Sequence, residues 1–225
     1  MNEEKTIKIR PYQAQDHARV RELFFKGLTS GPTVRHAYKR LFDPRRPTFV
    51  FQVFLFGLTY LLSSTWILFI LAVGCIQLIN LLVQYNVYYV YARNALNTDM
   101  VDLDLIAWTN NNNQTGFLVA EVKNLVVGII AFKKVGEFLE INRFSVDPAF
   151  RRLGIGKLLT DEVMKNGKKL DCCWLLAATT FGQKIACSYY ERTGWVEASS
   201  SRAPFLFFPY FIHGTEFIDF HKKII

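Results

Sequence analysis

Charge is missing from one long stretch of this chain: between Pro47 and Ala92 there is no Asp, Glu, Lys or Arg. A soluble core helix rarely exceeds about 20 residues and shows a polar face, whereas roughly 20 uncharged residues cross a bilayer's hydrocarbon. The stretch is therefore read as a membrane segment. Its length suits two short passes better than one, with the break expected at Ser63-Ser64-Thr65 before Trp66. Cysteine is scarce too. Cys75, Cys172, Cys173 and Cys187 form no Cys-x-x-Cys pair and have no supporting His spacing, so neither a secreted disulfide framework nor a zinc pattern is present. Reduced thiols and no metal are the simplest reading. Acidic residues are the third shortage: Asp and Glu number 19 against 27 Lys and Arg, a formal net charge of +8. That balance suits an acidic partner such as a nucleotide-like cofactor, anionic lipid or nucleic acid. Nucleic acid is the weakest of these, because no basic helix with interleaved base-stacking aromatics occurs and the cations crowd beside the apolar run. The polar, charged first residues predict no cleavable signal peptide.

What is present reads as alternating strands and helices around that run. Ile7 and Ile9 alternate with Lys8 and Arg10, predicting a first strand over Thr6 to Tyr12. Asp16 is placed to cap a helix with the apolar face Ala18, Val20, Leu23, Phe24 and Leu28, closed by Gly31-Pro32. Val34 to Arg46 is basic. Tyr85 to Tyr91 is aromatic and suits a lipid interface, with packing against the soluble domain as the alternative, and Asn97 to Thr109 is expected to be a helix returning to that domain. Strands are expected at Phe117 to Val122 and Leu125 to Lys133 about a Lys123-Asn124 turn, then at Phe138 to Val146. A helix starting near Ile155 is expected to stop at Gly167, followed by a strand at Trp174 to Ala178 and a helix from Gln183 to Arg192. Ala203 to Ile212 is apolar but carries Pro204 and Pro209, which argue against a membrane helix and for a hydrophobic loop. Phe217 to Phe220 is expected to be the last strand.

The organising motif is Arg151-Arg152-Leu153-Gly154-Ile155-Gly156, between a strand and a helix. There a glycine lets backbone approach a ligand, and a helix start offers unpartnered N–H groups and a positive dipole end. With two permanent cations beside it, the combination binds phosphate. It is neither Gly-x-x-x-x-Gly-Lys-Ser/Thr nor Gly-x-Gly-x-x-Gly, which excludes a P-loop and a dinucleotide fingerprint.

Arg-x-x-Gly-x-Gly after Ser145-Val146-Asp147-Pro148 resembles the coenzyme A pyrophosphate loop of the GNAT superfamily of N-acetyltransferases. Downstream, Gln183-x-x-Ala186-x-x-Tyr189-Tyr190-Glu191-Arg192-Thr193-Gly194-Trp195 resembles that superfamily's Asn-x-x-Ala-x-x-Leu-Tyr-Glu-x-x-Gly-Phe signature, with Gln183 and Trp195 as departures. The resemblance covers Thr6 to Arg46 and Asp99 to Phe220. An apolar run after the first helix is similar to the camello-type members, endoplasmic-reticulum proteins that include cysteine-S-conjugate and aspartate N-acetyltransferases. Arg45-Arg46, Ser64-Thr65-Trp66, Thr98-Asp99-Met100 and Phe144-Ser145-Val146 carry that likeness.

The resemblance implies an α/β GNAT fold, a mixed and mostly antiparallel central sheet flanked by helices, with an inserted hydrophobic membrane helical hairpin. The divisions expected are 1–46 for the first strand, helix and basic segment, 47–92 for the hairpin and 93–225 for the rest. Acetyl-CoA is the implied donor and co-substrate, the α-amine of an amino acid or cysteine S-conjugate the implied acceptor, and the bilayer a further partner. Protein lysine acetylation and a catalytically silent acetyl-CoA-binding scaffold are the alternatives. Val146 would offer its N–H to the thioester carbonyl, Phe144 would pair with pantetheine, Arg151 to Gly156 would hold the pyrophosphate, and Gln183 would meet the pantetheine arm. Tyr190 occupies the general-acid position and Glu140 the general-base position, with a buried packing ring and a solvated surface carboxylate as the respective competing readings. Strand parity puts Glu140 on one face with Asn142, Phe144 and Val146, and Arg143 on the other. Arg143 is a candidate for a substrate carboxylate, with a structural salt bridge as the competing reading. Since both ends of the hairpin must rejoin one domain and both carry arginine, a cytosolic catalytic domain on the endoplasmic-reticulum membrane is expected. The Asn113-Gln114-Thr115 sequon would then be unused.

Overall fold

In the computed structural model, residues 6–45, 47–101, 114–202 and 216–224 are described. Seven strands form one sheet in the order β1-β2-β3-β4-β5-β7-β6: β1 Lys8–Pro11, β2 Thr115–Val122, β3 Leu125–Val135, β4 Phe138–Val146, β5 Trp174–Thr180, β6 Val196–Arg202 and β7 Glu216–Lys223. Every neighbouring pair is antiparallel except β4 with β5. Lys123 and Asn124, both at positive φ (49° and 62°), make the tight turn between β2 and β3. The mixed, mostly antiparallel GNAT architecture follows.

Helices cover both faces. On one, α5 (Ile155–Lys169) buries Ile155, Leu159 and Val163 against Leu139, Ile141 and Leu175. Burying such a side chain contributes about 1.5–3 kcal/mol. On the other, α1 (His17–Thr29) buries Val20, Leu23 and Phe24 beside Ile129 and Ala131. Gly167 does not stop α5. It lies inside the helix, which continues to Lys169, and a Cβ there would stand 2.6 Å from Ile224 Cδ1.

Several boundaries differ from the sequence expectation. Gly31-Pro32 opens a helix, because proline in a first turn gives up an N–H that has no partner there anyway. The basic segment accordingly forms α2 (Gly31–Arg40), with Ser30 extended before it. Asp16 caps a short 3-10 turn, accepting from the Gln13 N–H at 2.9 Å, and pairs with Arg10 at 2.6 Å; it does not cap α1 directly. The apolar run forms α3 (Pro47–Leu62) and α4 (Trp66–Asn97), with the break where Ser63-Ser64-Thr65 predicts it. Thr65 Oγ1 accepts from the Leu68 N–H at 3.3 Å, and Asn80 Nδ2 donates to Gln52 Oε1 across the hairpin at 3.2 Å. Side chains facing outward here are large and apolar, Leu61, Leu62, Trp66 and Ile67 among them. Among the described residues only α4 is long and apolar enough to cross a membrane by itself; α3 is shorter. No new helix begins at Asn97, because α4 runs without a break to that residue and Thr98 to Met100 form a turn. The rest of that expected helix, Asn113 of the sequon and the Ala203 to Ile212 loop lie outside the described residues.

Candidate active site

The cleft opens where the one parallel pairing gives out. β4 and β5 are in register only from Phe138–Trp174 to Ile141–Ala177, so the ends of both strands separate beyond that point. A cavity of about 1480 Å³ fills the gap and extends over the α5 and α6 N-termini, α6 being Lys184–Arg192.

A β-bulge shapes the β4 wall. Ala131 faces Asn142 but Ile129 faces Ser145, so β4 carries one extra residue there, and Arg143 takes φ 52°. The bulge reverses the expected parity. Phe144 and Val146 join Leu139 and Ile141 on the α5 face, whereas Ser145, hydrogen-bonded to the Leu23 carbonyl at 3.1 Å, faces α1. Glu140, on the opposite side from Leu139 and Ile141, is therefore not aligned with Phe144 and Val146, and it is not among the cleft-lining residues. Leu153 is also outside the lining, while Arg143, Phe144, Val146, Arg151, Arg152, Gly154, Ile155, Gly156, Gln183 and Tyr190 are brought together there.

The phosphate-type loop is held from both ends. Asp147 accepts from the Ala149 N–H at 3.0 Å and from Arg19 Nη2 at 2.5 Å, which fastens the loop to α1. Arg151 Nε donates to the Val146 carbonyl at 3.1 Å. Burial lowers the Arg151 pKa and Asp147 opposes the shift. Gly154, at φ 80°, precedes α5 without a side-chain cap, so the first helical N–H groups face the cleft end of the loop unpartnered by a cap. Gly156 has a different reason for being glycine: a Cβ would stand 3.2 Å from the Tyr189 ring and 3.3 Å from Phe144.

On the opposite wall Tyr190 is almost wholly buried, with its ring centroid 5.0 Å from that of Trp195 and 5.1 Å from that of Phe220. Among the described residues its hydroxyl has no hydrogen-bond partner. Burial first, then Tyr189 and Cys187, pushes its pKa up, so it holds its proton at neutral pH. The Tyr189 hydroxyl is 2.7 Å from Thr160 Oγ1. Gln183 Oε1 accepts from Thr179 Oγ1 at 3.3 Å.

Sequence reasoning missed the third wall. Helix α2 places Arg35, His36 and Lys39 along the cleft. His36 is pulled below its ordinary value of 6.5 by burial, then by Lys184 and Lys39, and is neutral near pH 7. The spacing of Arg35 and Lys39 one turn apart was the available signal, hidden by reading Gly31-Pro32 as an end. The cleft is strongly cationic: Arg35 and Lys39 of α2, Arg143 of β4, Arg151 and Arg152 of the loop, Lys157 of α5, and Lys184 and Arg192 of α6 line it. Glu191 is the single carboxylate among the described lining residues. Arg143 itself is engaged by Asp99, at 2.5 Å.

A family model for the acetyltransferase (GNAT) family matches residues 79–195, just over half of the chain. The chain belongs to this family. Among similar proteins, N-acetyltransferase 8F1 of Mus musculus is 31% identical over 198 residues, covering 84% of this chain and 86% of the relative. Probable N-acetyltransferase camello of Xenopus laevis is 28% identical, covering 89% and 90%. N-acetylaspartate synthetase of Danio rerio is 27% identical, covering 83% of this chain and 66% of that protein. A GNAT-family acetyltransferase structure from Staphylococcus aureus Mu50 superposes with a TM-score of 0.56 at 14% identity, covering 98% of this chain and all of the other, a likeness of fold. The camello-type resemblance read from the motifs thus stands, and the chain is an acetyltransferase.

Proposed function

We propose that this acetyltransferase is anchored in a membrane by α3 and α4 and moves an acetyl group from acetyl-CoA to the α-amine of an amino acid or cysteine S-conjugate. The observation that carries the reading is the cleft's excess of arginine and lysine over carboxylate among the described lining residues. It suits a polyanionic donor at one end and a carboxylated amine at the other, and it repels a cationic lysine-rich segment. The name of the Danio rerio relative, N-acetylaspartate synthetase, points the same way.

In the proposed reaction Arg151, Arg152 and the α5 N-terminus hold the pyrophosphate, and Phe144 and Gln183 line the pantetheine arm. The neutral amine attacks the thioester carbonyl, whose oxygen is met by the Val146 N–H. The C–N bond forms as the C–S bond breaks; the amine's proton passes to a base and Tyr190 protonates the departing thiolate. We assign the base to His36, a neutral imidazole in the cleft wall, in place of Glu140, which is not among the described residues that line the cleft. The catalytic domain is proposed to lie on the cytosolic side of the endoplasmic-reticulum membrane.

Purified full-length protein in detergent is tested for free-thiol release from acetyl-CoA with amino acids, cysteine conjugates and lysine peptides. Release with the first two and not the third is expected. Stabilisation by acetyl-CoA without thiol release across the panel would identify a silent binder. Glycosylation of Asn113 in cells would reverse the proposed sidedness.

A further inference from the structure

A second concavity shares the α2 wall of the catalytic cleft and lies where α2 packs beside the middle of α4. It has a volume of about 810 Å³. Leu78, Leu81 and Leu82 of α4 supply its apolar side, and they are 57%, 40% and 57% exposed, so the groove is open along the helix that the proposed function places in lipid. Its rim is cationic. Arg35 and Lys39 stand one helical turn apart on α2, and among the described residues neither forms an ion pair or hydrogen bond. The wall also carries an unsatisfied donor: Gln77 Oε1 accepts from the Tyr38 hydroxyl at 2.8 Å, while Gln77 Nε2 is buried without a partner among the described residues.

We propose that this groove binds one anionic glycerophospholipid of the surrounding monolayer. Its phosphate would rest between Arg35 and Lys39, and an acyl chain would lie along the three leucines. The inference rests on the membrane reading of α3 and α4. A pair of basic side chains at a membrane surface attracts anionic lipid with about 1 kcal/mol each, so the pair predicts a preference of about tenfold or more over a zwitterionic lipid. Gly31, Arg35 and Lys39 also line the catalytic cleft, so a lipid phosphate seated there would neutralise cations that the acceptor site uses. The lipid is thus expected to raise KM for carboxylated amines.

The full chain, purified in mild detergent and exchanged into nanodiscs of phosphatidylcholine with or without phosphatidylserine, tests this by native mass spectrometry of the lipid it retains. Retention of phosphatidylserine over phosphatidylcholine by about tenfold is the expected result. Leu81→Trp, which fills the groove from α4, should abolish retention while thiol release with small amines continues; Leu78→Trp is the second variant should the first fold poorly. Arg35→Gln with Lys39→Gln should leave lipid bound without headgroup preference. Equal retention of both lipids by the unaltered protein, or undiminished retention by both tryptophan variants, overturns the proposal. So does soluble glycerophosphoserine competing as well as the diacyl lipid, which would leave only an anion site. Vesicle flotation separates the two readings: a protein that fails to float with phosphatidylcholine vesicles loses its membrane anchor, whereas one that floats without selective retention loses only the lipid site.

Discussion

Arg143 forks onto one oxygen of Asp99, with Nε at 2.9 Å and Nη2 at 2.5 Å from Oδ2, and its guanidinium carbon lies 4.9 Å from the Phe24 ring centroid. The pair ties the bulge of β4 to the turn that follows α4, so the cleft wall and the apolar hairpin are mechanically joined. Both side chains are largely shielded, at 15% and 27% exposure. Breaking one partner of such a pair leaves the other desolvated and costs about 1–3 kcal/mol at partial burial.

Arg143→Met and Asp99→Asn should therefore each lower the melting temperature and reduce turnover similarly for carboxylated and uncarboxylated amines. A KM increase confined to carboxylated amines in Arg143→Met, with stability unchanged, would instead make Arg143 a substrate contact.

Tyr190→Phe keeps the ring against Trp195 and Phe220 and removes a hydroxyl that no described residue bonds. Thermal stability should hold within about 0.5 kcal/mol. If the hydroxyl protonates the thiolate, kcat should fall about 10²–10⁴-fold with little change in KM for acetyl-CoA, measured by thiol release.

The pH profile should report His36. Its folded pKa lies below 6.5, so the base form is already present at neutral pH and the rate should fall as pH drops through the depressed value. Lys184→Met removes one cause of the depression and should move that limb to higher pH, while His36→Gln should lower the rate and flatten it; Glu140→Gln is the comparison that should leave it in place. The stability linkage has a definite sign. Between the depressed folded value and 6.5 the unfolded chain binds more protons, so this histidine makes stability rise with pH in that window.

Gly182→Ala should damage the seam between α4 and the cleft. A Cβ there would lie 1.9 Å from the Tyr88 hydroxyl, which is itself 3.2 Å from Thr180 Oγ1. Overpacking of this kind costs about 1–3 kcal/mol. Tyr88→Ala should partly restore stability in the double variant, and a double-mutant cycle on melting measures the coupling.

Local features were readable from the chain. The Lys123-Asn124 turn, the strand before Asp147-Pro148, the glycine ahead of α5 and the hairpin break at Ser63-Ser64-Thr65 each depend on backbone preferences of a few neighbours or on a run of apolar residues. The match of Gln183 to Trp195 with a family signature was legible for the same reason, since its helix and its glycine stop are contiguous.

The bulge at Arg143 was not legible, and it decides which β4 side chains face the cleft. Nothing in Phe138 to Val146 announces an extra residue; it exists because Ile129 and Ala131 of β3 pair across it and Asp99 holds the displaced arginine. Likewise α2 became a cleft wall only because Arg40 stacks 3.9 Å over Phe181 and Gly182 admits Tyr88 and Ala37. The sequence by itself determined most of the strands, the break in the apolar run and the phosphate-type loop, all written in short-range pattern. Which side chains meet in the cleft was decided by contacts between distant segments: the β3–β4 register, where a one-residue slip reverses every face, set Phe144 and Val146, and the packing of α2 brought in His36.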